Sequence, residues 1–432
     1  MEADAPALSD EELLDRCQCA AFGYFIDNVA PGNGLVADTS RPDASASIAV
    51  VGFALSCYPI GVERGWMERD DAIARTLSAL RFFWHSRQSD APDATGFKGF
   101  YYHFLHMETG RRASQSELSL IDTTFLLAGM LTAAAFFDQD TPDEREIGLL
   151  TEALYRRVDW QWGCGGAITA RHGWKPESGF LHYGWEGYSE ATLLYVLGLA
   201  SPTFPLPADS FAAWTTTYQW ETIYDVEFLY AGPLFVHHYS HAWIDFRGIQ
   251  DGFMREKECD YFENSRRATL VQRDYASRNP LSFRGYGKDC WGLTANDGPG
   301  DRLLTKDGEH HRTFGYVARG VPYGPDDGTI SPPGIAASLP FSPKMTLDAL
   351  RHLRRHYPEL SRDWRLPSGF NPTLPGVGPA GWISDGYFGL DQGIVVLMIE
   401  NHRSELIWRL TRRCPAIING LRRAGFAGAW LS

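Results

Sequence analysis

The strongest constraint on this chain is an alternation between two kinds of helix. Residues 45–62 (SASIAVVGFALSCYPIGV) are apolar on every side. In 67–85, Ile73, Leu77, Leu80 and Phe83 or Trp84 make one apolar stripe, while Glu68, Arg69, Asp70, Asp71 and Arg75 fall elsewhere. The change recurs from 118–137 to 143–158, from 189–200 to about 208–217, and from 231–246 to 260–278. It recurs again from 331–341 to 345–357 and from 391–400 to 404–413. A helix that is apolar all round is buried all round, and a one-striped helix is half exposed. Six such pairs predict six inner helices shielded by six outer ones, an all-α fold of the (α/α)6 toroid or barrel type. A helical solenoid would alternate similarly, but solenoid repeats keep a near-constant length and related sequences. Here the spacings vary widely and no repeat motif is shared.

The connections that precede inner helices are much longer than those that follow them. Segments 85–116, 159–188, 279–330 and 358–390 hold most of the Trp-, Gly- and Asp-rich sequence. Long loops in a compact fold are usually functional. Because each leads into an inner helix, they should gather at one end of the barrel, where the positive helix-dipole ends emerge. FKGFYYHFL (97–105) and GAITARHG (166–173) read as short strands or a hairpin at that end. A further helix is expected over about 11–28, capped by Ser9 or Asp10. Residues 1–9 read as a flexible tail and 10–432 as a single domain.

Composition narrows the partners. Aromatic residues make up 13% of the 432, with 14 Trp and 19 Tyr, a supply that suits stacking on flat apolar faces such as sugar rings and is also used in large cores. A formal net charge of −13 argues against nucleic acid and anionic membrane. No apolar run reaches about 18 residues, so no membrane span is expected. The opening MEADAPALS lacks the basic start and apolar region of a signal peptide. The expected location is periplasmic if a signal was removed and cytoplasmic otherwise. The expected state is a monomer or weak homo-oligomer. The seven cysteines have no paired metal spacing and read as free or structural. Neither a cofactor nor a metal is expected.

Residues 174–199 (WKPESGFLHYGWEGYSEATLLYVLGL) run from an aromatic, acidic loop into an apolar helix, with Glu190 in its first turn. A carboxylate there needs a partner or a task. Burial would raise its pKa, the dipole would partly oppose that, and a raised pKa suits a general acid. A plain helix-start acid bonded to free N–H groups is the alternative. Glu186 reads as a rim residue. Asp122 lies one turn into the second inner helix, either salt-bridged to an arginine such as Arg247 or Arg266 or acting as a water-activating base or subsite acid. Glu117 either completes a capping box with Ser114 or joins that site. Asp391 opens the last inner helix as a cap or a pocket acid, with Asp385 a nearby competitor. His237, His238 and His241 lack the acid of an H-E-x-x-H zinc site and read as bonded to sugar hydroxyls or core carbonyls. Trp174, Trp185, Tyr188, Tyr239, Trp243, Tyr323 and Trp382 are candidates to stack on sugar rings, Trp185 and Tyr188 foremost because they flank Glu190. Arg247 could position a hydroxyl or hold an acid. The run GPDDGT (324–329) lacks the donors of an EF-hand and reads as a turn at the pocket rim.

Several runs carry a resemblance. They include GLVAD (34–38), FYYHFLHMETGRR (100–112), SELSLIDTTFLLAG (116–129), WKPESGFLHYGWEGYSEA (174–191), YAGPLFVHHYSHAWIDFRGI (230–249), CWGLTANDGPG (290–300), VPYGPDDGTISP (321–332) and YFGLDQGIVVLMIEN (387–401). Together they resemble the glucoamylase-like domain family, whose relatives include bacterial endo-β-1,2-glucanases and the transglycosylase domain of cyclic β-1,2-glucan synthases. The likeness spans about residues 15–432. It implies an (α/α)6 fold, acid residues acting on a glucan substrate, and no metal in the chemistry. It also implies that GYSEA carries the general acid, Glu190, and that LDQG carries a second carboxylate, Asp391, with Asp122 and Glu117 as further candidates. The expected activity is endo hydrolysis of β-1,2-glucan, with inversion. A transglycosylase or a hydrolase of another cyclic, branched or α-glucan is the alternative, and a non-catalytic glycan-binding protein is a minor one.

Overall fold

Helices supply most of the regular structure in the computed structural model, which describes residues 8–306, 309–361 and 363–432. Most of the expected 1–9 tail lies outside the described residues. Five of the six expected inner helices are present and buried along nearly their whole length: Ile48–Glu63, Leu120–Phe136, Thr192–Ala200, Pro332–Ala337 and Gly389–Arg403. The first two approach backbone to backbone. A Cβ on Gly129 would lie 2.0 Å from the Gly52 carbonyl oxygen, and one on Gly52 would lie 2.2 Å from that of Phe125. Only glycine permits this spacing. The Ile48–Glu63 helix also packs on Gly389–Arg403, which in turn packs on Pro332–Ala337.

The expected helix over 231–246 is broken. Pro233 holds the chain extended, a single 3-10 turn follows over Leu234–His237, and a short α-helix runs from Tyr239 to Trp243. The half-exposed helices Arg69–His85, Pro142–Arg157, Tyr261–Arg278 and Pro343–His356 match their single stripes. Their starts follow capping chemistry. Thr141 accepts from the Glu144 N–H with Pro142 in the first turn, and Asp260 accepts from the Glu263 N–H.

Two outer positions differ from expectation. Leu406–Thr411 is almost entirely buried, with the Trp408 Nε1 donating to the His241 carbonyl at 2.7 Å. A helix not expected from sequence, Pro415–Arg423, packs on Thr192–Ala200, where a Cβ on Gly420 would meet the Val196 carbonyl at 2.0 Å. The first helix, Asp10–Asp27, is closed by a capping box between Ser9 and Glu12 and packs on Gly389–Arg403.

The strands are short and lie in the long connections. Gly96–Phe97, Phe100–Tyr102, Leu118–Ser119, Gly173–Lys175 and Gly179–Phe180 form one antiparallel sheet in that order. The 97–105 expectation is met, whereas of 166–173 only Gly173 joins a strand. Phe104–Leu105 pairs with Ala46–Ser47. Two strands thus run straight into the Ile48 and Leu120 helix starts and tie loops distant in sequence to one end of these helices. A hairpin over Trp220–Ile223 and Val226–Leu229 was not expected. Among the described residues no helix is long and apolar enough to cross a membrane. The seven cysteines are free.

Candidate active site

A cavity of about 660 Å³ lies at the starts of the Leu120–Phe136, Thr192–Ala200 and Gly389–Arg403 helices. Among its described lining residues are the acids Asp38, Glu117, Asp122, Glu190, Asp297 and Asp391. All four acids expected to be catalytic therefore share one cavity.

Glu190 sits in a turn two residues before the Thr192–Ala200 helix rather than within it. Ser240, from a distant segment, clamps the turn: its Oγ donates to the Glu190 carbonyl at 2.8 Å and accepts from the Leu193 N–H at 3.1 Å. Burial pushes the Glu190 carboxyl up to about 7, opposed by a hydrogen bond from its own N–H and helped by the charge of Asp122. Asp391 lies in the first turn of Gly389–Arg403. Burial also pushes it up to about 7, against a hydrogen bond from Ser368 and with help from Asp38 and Asp297. Its Oδ2 is buried and has no hydrogen-bond partner among the described residues. A helix N-terminus favours charge, so desolvation outweighs the dipole at this position.

Asp122 and Glu117 are held differently. Asp122 is in the first turn after Ser119, whose Oγ accepts from the Asp122 N–H at 3.2 Å and donates to its carboxylate. The expected partners Arg247 and Arg266 are engaged elsewhere, with Asp245 and Glu405 and with Glu263. The actual partner is His103, with Nδ1 3.0 Å from Glu117 Oε1 and 3.6 Å from Asp122 Oδ2. Burial disfavours its charged form, but Asp122, then the hydrogen bond and charge of Glu117, then Asp38 outweigh it and push His103 up to about 9. Burial would raise the Glu117 carboxyl, but the His103 hydrogen bond and charge outweigh it and the carboxyl is lowered. Glu117 thus forms no capping box with Ser114. The ligating atoms of His103, Glu117 and Asp122 lie within 4.8 Å of one another, a spacing that would also admit a metal ion. Asp38, not foreseen, is pushed up to about 6, first by burial; the charge of His103 opposes this, Asp122 adds to it, and Arg41 opposes it.

Of the expected sugar-stacking residues, Trp185 and Tyr239 reach the cavity. The Trp185 ring stacks on His172 at 4.1 Å and Tyr239 meets Phe125 edge-on at 5.5 Å. Tyr316 and Phe388, not foreseen, stack on each other at 6.1 Å beside them. The other candidates do not line this cavity. Trp243 is fully buried, donating to Ser56 Oγ at 2.9 Å and stacking under Phe125 at 5.6 Å. Tyr188 is buried against Tyr261, and Trp174 packs between Phe97 and Trp162. His238 is buried with Nε2 on Ser338 Oγ, as His237 is on the Ala231 carbonyl and His241 on Ser265 Oγ. Arg247 lies over Trp408, tied to Asp245 and Glu405. Tyr323 is exposed against Tyr230, and Glu186 borders a separate groove with Tyr188. Trp382 is held in a two-strand pair with Asn371. Asp385 is exposed beside a neighbouring pocket. In the GPDDGT run, Asp327 is buried in a two-pronged bond with Arg319, so that turn is a structural hub.

A sequence model of the family described as "Putative glucoamylase" matches residues 182–415, more than half the chain. A curated relative from Parabacteroides distasonis, an exo β-1,2-glucooligosaccharide sophorohydrolase (non-reducing end), is 27% identical over 96% of this chain. The chain spans 58% of that relative's length. A crystal structure of a "putative glucoamylase" from Bacteroides uniformis is 29% identical, with a TM-score of 0.87 over 99% of this chain and 100% of that one. The Chitinophaga pinensis endo-β-1,2-glucanase, in complex with sophorotriose and glucose, is 25% identical, with a TM-score of 0.82 over 98% and 100%. The family match takes in Glu190, Asp297 and Asp391 of the cavity, and the chain belongs to this glucoamylase-like family.

Proposed function

We propose that this chain hydrolyses β-1,2-linked glucan, with Glu190 as general acid and Asp391 as general base. The observation that carries the reading is a pair of carboxyls in one cavity, both held near pKa 7. Such values let one carboxyl be protonated and the other ionised at neutral pH. Glu190 gives its proton to the leaving glycosidic oxygen as the bond to the anomeric carbon breaks. Asp391, which lines the same cavity, takes a proton from the water that attacks that carbon. Each group then returns to its starting state by exchange with solvent. Asp122 and Glu117, kept beside the charged His103, accept hydrogen bonds from sugar hydroxyls, and Trp185 and Tyr239 offer ring faces. The linkage is inferred from the named activities of the relatives. We further assign inversion, endo cleavage and a single domain over 10–432, with the buried and half-exposed helices arranged as an (α/α)6 toroid.

The test is incubation with linear β-1,2-glucan, with products resolved over time. The expected outcome is short oligosaccharides, and a kcat lower by about 10²–10⁴-fold in Glu190→Gln and in Asp391→Asn. The rate of the unmodified protein should fall on both sides of neutral pH. Loss of the Glu190 proton causes the alkaline fall, so Glu190→Gln should lack that limb. An intact polymer after long incubation would withdraw the substrate assignment.

A further inference from the structure

Segments 38–41 and 386–389 run against each other beside the cavity. The Ser40 N–H donates to the Tyr387 carbonyl at 2.9 Å, the Gly389 N–H to the Asp38 carbonyl at 2.8 Å, and the Tyr387 N–H to Ser40 Oγ at 2.9 Å. Together they form a two-segment wall. Asp38, Thr39, Phe388 and Asp391 face the catalytic cavity. Ser40, Gly386 and Tyr387 face a second pocket of about 540 Å³.

Arg41 borders both spaces. Its guanidinium ion-pairs with the cavity acid Asp297, donates through Nε to the Asp385 carbonyl at 2.7 Å, and lies 5.0 Å over the Phe388 ring. Its side chain retains 38% of its exposure, so it lies across the top of the wall rather than inside it. Asp297 is also gripped by Ser384 Oγ at 2.7 Å, and Ser384 lines the second pocket.

The second pocket is lined by hydrogen-bonding groups: Glu359, Asp363, Ser384, Asp385 and the Tyr387 hydroxyl, which donates to Asp363 at 2.9 Å. Arg41 is the one basic residue among its described lining. That chemistry suits a neutral polyhydroxylated ligand and disfavours an anion. A glucan held in the catalytic cavity would meet this pocket by continuing past Arg41.

We propose that the second pocket is a further set of glucosyl subsites and that Arg41 separates it from the catalytic cavity, limiting how many sugar units are gripped on that side. The inference rests on the glucan-hydrolase reading above. With Arg41 in place, the distal chain must turn away at the wall. Without its side chain, the two spaces merge into one trough.

The test uses linear β-1,2-glucooligosaccharides of increasing length. Binding is measured by calorimetry on Glu190→Gln and on the same protein carrying Arg41→Ala, and product lengths are compared between the active Arg41→Ala and unmodified proteins. Arg41→Lys, which keeps a charge facing Asp297, guards against a folding defect. With Arg41 present, affinity should stop rising at some length. Without it, affinity should rise by at least about threefold more over one or two further units, and products should lengthen. Adding Tyr387→Ala should abolish that gain. An unchanged plateau with an unchanged product pattern would sink this inference and leave the glucan reading intact. Failure of Glu190→Gln to bind any member of the series would sink both.

Discussion

At His103, burial and charge act in opposite directions, and charge prevails because carboxylates approach from three separate segments. Asp122 comes from a helix start, Glu117 from the residue before a strand, and Asp38 from the wall beside the cavity. The folded value of about 9 exceeds the ordinary 6.5, so the group binds its proton more tightly in the folded state. Its contribution to stability is complete below about pH 6.5 and is lost as pH rises through about 9. Melting temperature should therefore fall over that interval in the unmodified protein and less so in His103→Asn. Removing the cation also leaves three acids facing one another. In that variant the Glu117 carboxyl, which the His103 hydrogen bond and charge hold down, should titrate higher, a shift read by carboxyl-carbon NMR. Glu117, Asp122, Glu190 and Asp391 were legible in sequence, because an acid at the edge of an apolar helix is costly unless used. His103 was not, because a histidine in the bend between two short strands, Phe100–Tyr102 and Phe104–Leu105, has no local sign of what it will face. Trp243 and His238 misled for the converse reason: sequence shows an aromatic or imidazole, not whether it points into the cavity or into the core.

Among elements, the pairing of Ile48–Glu63 with Leu120–Phe136 depends on two glycines. The Gly129→Ala methyl would meet the Gly52 carbonyl at 2.0 Å, and backbone on both sides cannot yield as a flexible side chain would. Overpacking of this kind costs about 1–3 kcal/mol, and more where backbone must move. A urea titration of Gly129→Ala should show a loss of unfolding free energy of at least that size, while Gly148→Ala, with nothing within 4 Å of the added carbon, should change little. Helix existence and layer were readable from periodicity. The break at 231–246 was less so, since its residues are as apolar as those of its neighbours and only Pro233 signals a late start. Pro415–Arg423 escaped notice because its short stripe, Ile417, Gly420 and Leu421, follows no all-buried partner in sequence. Its partner is Thr192–Ala200, more than two hundred residues earlier.

Across the whole molecule, the two ends of the chain meet at Glu400. This fully buried carboxylate takes two bonds from Arg64, at 2.8 and 2.9 Å, one from Gln18 at 2.9 Å and one from Ser404 at 2.6 Å. The first helix, the first buried helix and the last buried helix are joined through it. Removing one partner of a buried pair leaves the other uncompensated, at a cost of about 3–5 kcal/mol. Glu400→Ala should lower the melting temperature and the denaturant midpoint accordingly. Asp140→Ala, which breaks an exposed pair with Arg145, should change stability by no more than about 1 kcal/mol. Two properties of the protein were readable from sequence alone: its alternation of buried and half-exposed helices, and four of the six acids among the described cavity lining. Both follow from local rules, one the period at which apolar residues recur and the other the cost of an acid among them. Tertiary structure alone decided which rings face the cavity, that His103 meets Asp122, and that Arg41 reaches Asp297. Those contacts join side chains from segments far apart in the chain, and their directions are set by packing rather than by any neighbour in sequence.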